Sequence, residues 1–207
     1  MSLSHHPDIG KAAEILKKGG LVAFPTDTLY GLGAHAFIGK AVERVYKAKG
    51  RPSQKPIPLL IGSIDDLALL TDDFPEVAVR LARAFWPGAL TLVVKSSARV
   101  PGRITGGGDT VAVRMPAHPL ARELIIQLGA PITGTSANKT GGPSPATAKE
   151  VRRQLGRLVD LIIDGGACPA GRHSTVVDVT TERPILLRQG AVPVAQVEEV
   201  CGALAQA

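Results

Sequence analysis

A chain of 207 residues that is 44% hydrophobic and 20% charged has the composition of a folded soluble protein, which excludes an intrinsically disordered one. Its two cysteines, Cys168 and Cys201, are too few for a disulfide framework, and no apolar run reaches the ~18 residues of a membrane span. The excess of 24 Lys and Arg over 18 Asp and Glu leaves a formal charge of +6, which suggests an anionic partner. No secretory pattern opens the chain, so a cytoplasmic protein with no membrane partner is expected. The length fits one domain spanning residues 1–207, with a motif-bearing core at about 9–192 and residues 1–3 left out of the fold reading.

In chain order, Ile9, Ala12, Ala13 and Leu16 recur at helical spacing behind Asp8, which is expected to cap the helix, and Gly19-Gly20 ends it. Leu21–Phe24 reads as a short apolar strand stopped by Pro25. A helix at about 40–48 is built on Ala41, Val42 and Val45 and closes at Gly50. Residues 56–61 read as a strand. Pro75 suits the first turn of a helix carrying Val77, Leu81 and Phe85, broken by Pro87-Gly88. Strands are predicted at 89–94, 110–114, 131–136, 174–179 and 184–188. Helices are predicted at about 119–128, 147–155 and 194–205. Strands mixed with helices give an α/β fold, and their close spacing predicts a mixed sheet rather than a strictly parallel one.

The charge is uneven. Residues 1–103 carry 14 basic against 9 acidic residues, and residues 104–207 carry 10 against 9. Lys47, Lys49, Arg51 and Lys55 fall in one stretch with no acid among them, which is either a solvated face or an anion site. Only 3% of residues are aromatic, too few for a stacking platform for single-stranded nucleic acid. A small phosphorylated ligand is the better candidate.

Four polar, glycine-rich stretches follow strands, where open α/β sheets hold ligands. In the first, residues 24–34, Thr26 and Thr28 present hydroxyls, and Gly31 and Gly33 would let a ligand approach the backbone. The bare Gly-x-Gly pattern there lacks the strand spacing and the downstream acid that a dinucleotide site needs. In the second, Arg51 offers a planar fork beside Lys49, on a loop stiffened by Pro52 and Pro56. The third, residues 106–118, has three successive glycines but no P-loop signature. Its Arg114 ends an apolar strand and needs a partner, either an anionic ligand or a structural acid. The fourth, residues 135–146, supplies Ser136, Asn138 and Ser144 with no acid. No nucleophile elbow and no metal-spaced Cys/His set is present, so no metal site on the protein is expected. His35, His118 and His173 are isolated and read as structural or surface residues. Cations and hydroxyls without a general base suit chemistry at phosphorus.

Taken together, the segment 24–34, the Lys49-x-Arg51-Pro52 and Lys55-Pro56 pairs, Val111–His118, Thr135–Asn138, Ser174–Asp178 and Leu187-Arg188-x-Gly190 resemble the YrdC-like family. They run in the family's order over roughly residues 20–190. The resemblance implies a twisted mixed α/β sheet with helices around it and a concave basic face. It also implies an L-threonylcarbamoyladenylate synthase activity, a nucleotidyl transfer that condenses L-threonine, bicarbonate and ATP with release of pyrophosphate. A threonylcarbamoyl transferase complex would then modify an adenosine of tRNA.

By the same matching, Lys49, Arg51, Ser136 and Asn138 are the implied catalytic set. Arg51, Lys55, Thr110, Ser136, Ser144 and Arg188 would contact ATP, and Thr28, Arg114, Gly134 and Ser174 would hold threonine. Mg²⁺ would ride on the ATP phosphates with its own waters. Lys55 stands where long-form members carry Asn and Leu60 where they carry His, so the short-form pattern is expected, with closure of the site coming from within the chain or not occurring. Gln189 replaces the proline of the family's Leu-Arg-Pro-Gly motif. Some branches of the family have no assigned activity, so a non-catalytic protein that binds double-stranded RNA or tRNA on the basic face is the alternative.

Overall fold

The computed structural model describes residues 6–169 and 171–206; the excluded residues 1–3 and His5 lie outside them. Helix α1 (Asp8–Lys17) buries Ile9, Ala12, Ala13 and Leu16, as their spacing requires. Pro7, not Asp8, is its cap residue. Asp8 instead enters the first turn, where its charge faces the positive end of the helix. The apolar stripe of α1 packs against that of α5 (Pro119–Leu128), and together with Val22, Phe24 and Ile132 they form one of two core clusters.

The mixed α/β fold is present, and among the described residues its strands divide into two sheets. The smaller has the order β7-β2-β1-β8 and the larger β11-β10-β9-β4-β5-β3-β6. In the smaller, β1 (Val22–Phe24) pairs antiparallel with β2 (Gly31–Gly33) and parallel with β8 (Leu161–Ile162), while β7 (Thr135–Ser136) joins β2. Strand β2 falls where the sequence shows a glycine-rich turn, so Gly31 and Gly33 lie in a strand. Its glycines serve packing: a Cβ on Gly31 or Gly33 would meet the fully buried ring of Phe24 at 3.0 or 2.8 Å.

The larger sheet carries the longer strands. At its centre β4 (Leu90–Lys95) pairs antiparallel with β5 (Thr110–Arg114) and parallel with β9 (Thr175–Asp178). Strand β5 also lies parallel to β3 (Leu59–Leu60), which pairs antiparallel with β6 (Ile132–Thr133). On the other flank β10 (Ile185–Arg188) pairs antiparallel with β9. The C-terminal helix α7 spans Val194–Cys201 rather than running to 205, because Gly202 breaks it and Ala205–Gln206 returns as β11 alongside β10. Helices α2 (Gly39–Lys49), α3 (Glu76–Phe85), α4 (Gly102–Thr105), α6 (Ala148–Gln154) and α7 contribute to the larger core cluster with the apolar faces of both sheets. Burial of each such Leu, Ile or Val contributes roughly 1.5–3 kcal/mol.

One position joins the sheets. The apolar run at 131–136 predicts one strand, but the chain leaves the larger sheet after Thr133 and enters the smaller at Thr135. Gly134 makes the crossing possible. Its N–H donates to the Pro58 carbonyl at 2.7 Å, and a Cβ there would lie 2.5 Å from Leu60 Cγ.

Candidate active site

A cavity of about 390 Å³ opens at this junction, and both sheets line it. Strands β4, β5, β9 and β10 supply Thr91, Arg114, Val176 and Arg188, and β2 and β7 supply Gly31 and Ser136. Thr28, Arg51, Gly134, His173 and Ser174 complete the polar wall. No carboxylate is among the lining residues.

Arg114 is buried, at 6% exposure. Its Nε donates to the Gly88 carbonyl at 2.8 Å, Nη1 to Thr28 Oγ1 at 2.8 Å and Nη2 to Asp27 Oδ1 at 2.6 Å. Asp27 also accepts the Ala117 N–H at 2.9 Å. A structural acid therefore answers the charge that ends β5. Burial lowers the Arg114 pKa, and the neighbouring Asp27 works against that shift. A guanidinium carries five N–H groups, so two remain for a ligand. Thr28 is fixed in turn: Thr26 Oγ1 donates to the Leu29 carbonyl at 2.7 Å and lies 2.8 Å from Thr28 Oγ1. Thr28 is therefore the donor in that pair.

Ser174, at the entry to β9, lies 2.8 Å from Thr91 Oγ1, hydroxyl to hydroxyl. Arg188 wraps the same residue, donating from Nε and Nη2 to its carbonyl at 3.1 and 3.0 Å and from Nη2 to its Oγ at 3.2 Å. Burial and then the charge of Arg114 lower the Arg188 pKa. Arg51 is braced by its own loop, with Nη2 donating to the Pro56 carbonyl at 2.8 Å and Nε to that of Lys55 at 3.3 Å. Burial is also the main cause of its lowered pKa. Like charges held in a partly dry hollow are costly without an anion between them.

Lys49 does not line the cavity. Its Nζ donates to the Ser136 carbonyl, to the Asn138 carbonyl at 2.8 Å and to Asn138 Oδ1 at 3.3 Å. Asn138 Oδ1 also accepts from Ser136 Oγ at 2.5 Å, while its Nδ2 donates to the Lys139 and Gly142 carbonyls at 2.9 and 2.8 Å. Lys49 and Asn138 thus form a cage behind Ser136 and tie down the loop that follows β7. Burial, and secondarily the charge of Arg51, bring the Lys49 pKa down to about 8.

Of the residues selected from sequence, Thr28, Arg51, Arg114, Gly134, Ser136, Ser174 and Arg188 share the one cavity. Ser144 reaches it through a 3.0 Å contact between its Oγ and Nε2 of His173. Lys55 and Thr110 are not on its wall. The Lys55 side chain is exposed, and its carbonyl does the bonding, to Arg51 and to the Tyr46 hydroxyl. Thr110 pairs with Lys95 at the end of β5 away from Arg114, about 13 Å along the strand.

Sequence reasoning missed Asp27, Thr91 and His173. Asp27 stood inside the first polar stretch and could have been matched to the unpaired arginine. Nothing local marked Thr91 or His173, because long-range strand pairing brings them to the wall.

A family described under telomere recombination, which takes in the Sua5, YciO and YrdC proteins, matches residues 14–190. The chain belongs to it. The Sua5/YciO/YrdC relatives include a threonylcarbamoyl-AMP synthase of Pyrococcus abyssi, 49% identical over 92% of this chain and 56% of the relative. One of Bacillus subtilis is 46% identical over 96% of this chain and 58% of its own length. The structure of P. abyssi Sua5 complexed with L-threonine superposes with a TM-score of 0.95 at 47% identity, over 96% of this chain and 58% of that one. The chain thus spans a little over half the length of these relatives.

Proposed function

We propose that this chain is a threonylcarbamoyl-AMP synthase, an enzyme that joins L-threonine, bicarbonate and ATP. The observation that carries the reading is the shared cavity in which Arg51, Arg114 and Arg188 converge with hydroxyls and without a carboxylate. The synthase names of its relatives and the threonine complex of the P. abyssi protein support it.

In this reading the two uncommitted N–H groups of Arg114 hold the threonine carboxylate as a fork, and Thr28 or Ser174 reads its hydroxyl. The amine and bicarbonate condense to a carbamate with loss of water. A carbamate oxygen attacks the α-phosphorus of ATP, the bond to the bridging oxygen breaks and pyrophosphate departs. Arg51 and Arg188 face the growing charge on the phosphates. Ser136 adds a hydroxyl held in place by Lys49 and Asn138, which act by positioning. Lys55 and Thr110 lie off the cavity wall and would meet a triphosphate only where it extends beyond that wall.

Magnesium belongs to the substrate in this scheme, carried on the triphosphate with its waters; no cluster of three potential metal-binding side chains occurs among the described residues. The mixed anhydride product calls for a transferase that delivers the threonylcarbamoyl group to an adenosine of tRNA. The net charge of +6 suits a transient encounter with that RNA.

The test is pyrophosphate release from Mg-ATP with bicarbonate and threonine. Release should require all three. Release that ignores the omission of threonine would overturn the reading. Steep salt-dependent tRNA binding with no turnover would favour the RNA-binding alternative instead.

A further inference from the structure

His173 is the one imidazole on the cavity wall. It sits at the mouth, just ahead of β9 of the larger sheet, and its Nε2 meets Ser144 Oγ, in the loop that follows β7 of the smaller sheet, at 3.0 Å. This contact therefore joins the loop after β7 to the segment that leads into β9. The charged groups around it are cationic: Arg188 on β10, Lys49 at the end of α2, its chain neighbour Arg172, and Arg51 across the cavity. The His173 carbonyl accepts the Ala191 N–H at 2.8 Å, so the residue's backbone is fixed against the loop after β10. The imidazole is thus a titratable group held at a fixed place beside arginines and facing space suited to an anion.

We propose that His173 is a further phosphate-binding residue of the cavity, neutral while the cavity is empty and protonated when a triphosphate binds. This rests on the nucleotide reading above and deepens it. The physical basis is reciprocal. In the empty cavity, partial burial first, then Arg188 and Lys49, hold the imidazole below its ordinary pKa. A polyanion reverses the sign of the local field and favours the imidazolium. Protonation also leaves the Ser144 contact intact, because the hydroxyl can accept as well as donate. Between the two pKa values, binding takes up a proton, so affinity for the anion rises as pH falls. Each unit of pKa rise on binding strengthens affinity by about tenfold at the acid end of the window.

The experiment is calorimetric titration of Mg-ATP into the chain and into His173→Gln, in buffers of different ionisation enthalpy at pH 6, 7 and 8.5. Glutamine keeps a polar partner for Ser144 but does not titrate. The wild type should take up more protons than the variant at pH 7 and bind about three- to tenfold more tightly at pH 6, and the two should match at pH 8.5. Uptake caused by Lys49, centred near pH 8, is common to both proteins and cancels in the difference. NMR titration of the His173 ring in the wild type, with and without Mg-ATP, reads the same shift without relying on the variant. Equal proton uptake in the two proteins, or an imidazole pKa unmoved by Mg-ATP, would overturn the inference and leave the nucleotide reading standing. No binding of Mg-ATP to the wild type at any pH would overturn both.

Discussion

The two walls of the cavity are held in different ways. On the larger sheet, β4 buries Leu90, Leu92 and Val94, and β5 buries Val111 and Val113. Arg114 therefore projects from a strand fixed by apolar packing, Ser174 leads into β9, which buries Val177, and Arg188 ends β10, which buries Leu186. On the smaller sheet the strands are two or three residues long. There Ser136 and the loop after it are held by a lysine, an asparagine and four backbone carbonyls. One wall resists distortion because moving it would open the core, the other because moving it would strand buried polar groups. The two should fail differently when perturbed.

The largest effect is expected where the walls are bolted together. Asp27→Ala removes the partner of Arg114 and leaves a buried cation uncompensated, which should cost about 3–5 kcal/mol in denaturant unfolding. A loss below 1 kcal/mol would mean that the Gly88 carbonyl and Thr28 hold the guanidinium unaided.

Lys49→Met targets the polar wall alone. Freed of its cage, Ser136 should drift by an ångström or so, and pyrophosphate release should fall about a hundredfold while the fold survives. The same variant has a pH signature. The Lys49 pKa is about 8 in the folded chain against an ordinary 10.5, so between these values the unfolded chain binds more protons. Wild-type stability should rise with pH across that window, and Lys49→Met should flatten the slope. Parallel curves from chemical denaturation at pH 7.5, 9 and 10.5 would refute this.

Gly134→Ala probes the seam between the sheets. A methyl group placed 2.5 Å from Leu60 Cγ should cost about 1–3 kcal/mol of stability by overpacking. Threonine binding should weaken with it, because Gly134 lines the cavity. Unchanged melting would show that Leu60 yields freely. The smallest effect is expected far from either wall, at the start of α6, where Thr147 and Glu150 form a reciprocal capping box. Thr147→Ala should cost about 1 kcal/mol and leave pyrophosphate release untouched.

How much of this could be read in advance depended on the range of the forces involved. Helix α5 occupies the predicted residues 119–128 because Pro119 starts it and Gly129 stops it, both local signals. Strand β5 likewise matches 110–114, through its uninterrupted β-branched and apolar run. Strands β2 and β8 left no trace, because two or three residues cannot show a period and Gly-Leu-Gly has no strand propensity. The turn at Ile64–Leu69, with its Ser63 and Asp66 capping box, also went unread for want of an apolar stripe. In the site, the arginines were legible as charges with nowhere to go. Asp27 stands in a polar stretch as a candidate acid, but its pairing with Arg114 spans 87 positions, so the sequence offers the candidate and only the fold makes the pair. Lys49 enters the implied catalytic set by resemblance, and its bonding to carbonyls 87 and 89 positions away is not visible in the local sequence. His173 was set aside as isolated, which holds along the chain but not across the cavity.

The crossing at Gly134 has a mechanical consequence. The single residue between β6 and β7 carries the chain from one sheet to the other, so the spacing between Arg114 on one side and Ser136 on the other is set by main-chain geometry, much as a hinge pin sets the gap between two plates. Ligands that differ by one methylene should therefore be discriminated by how they fill a gap of constant width, with little help from side chains folding inward around them.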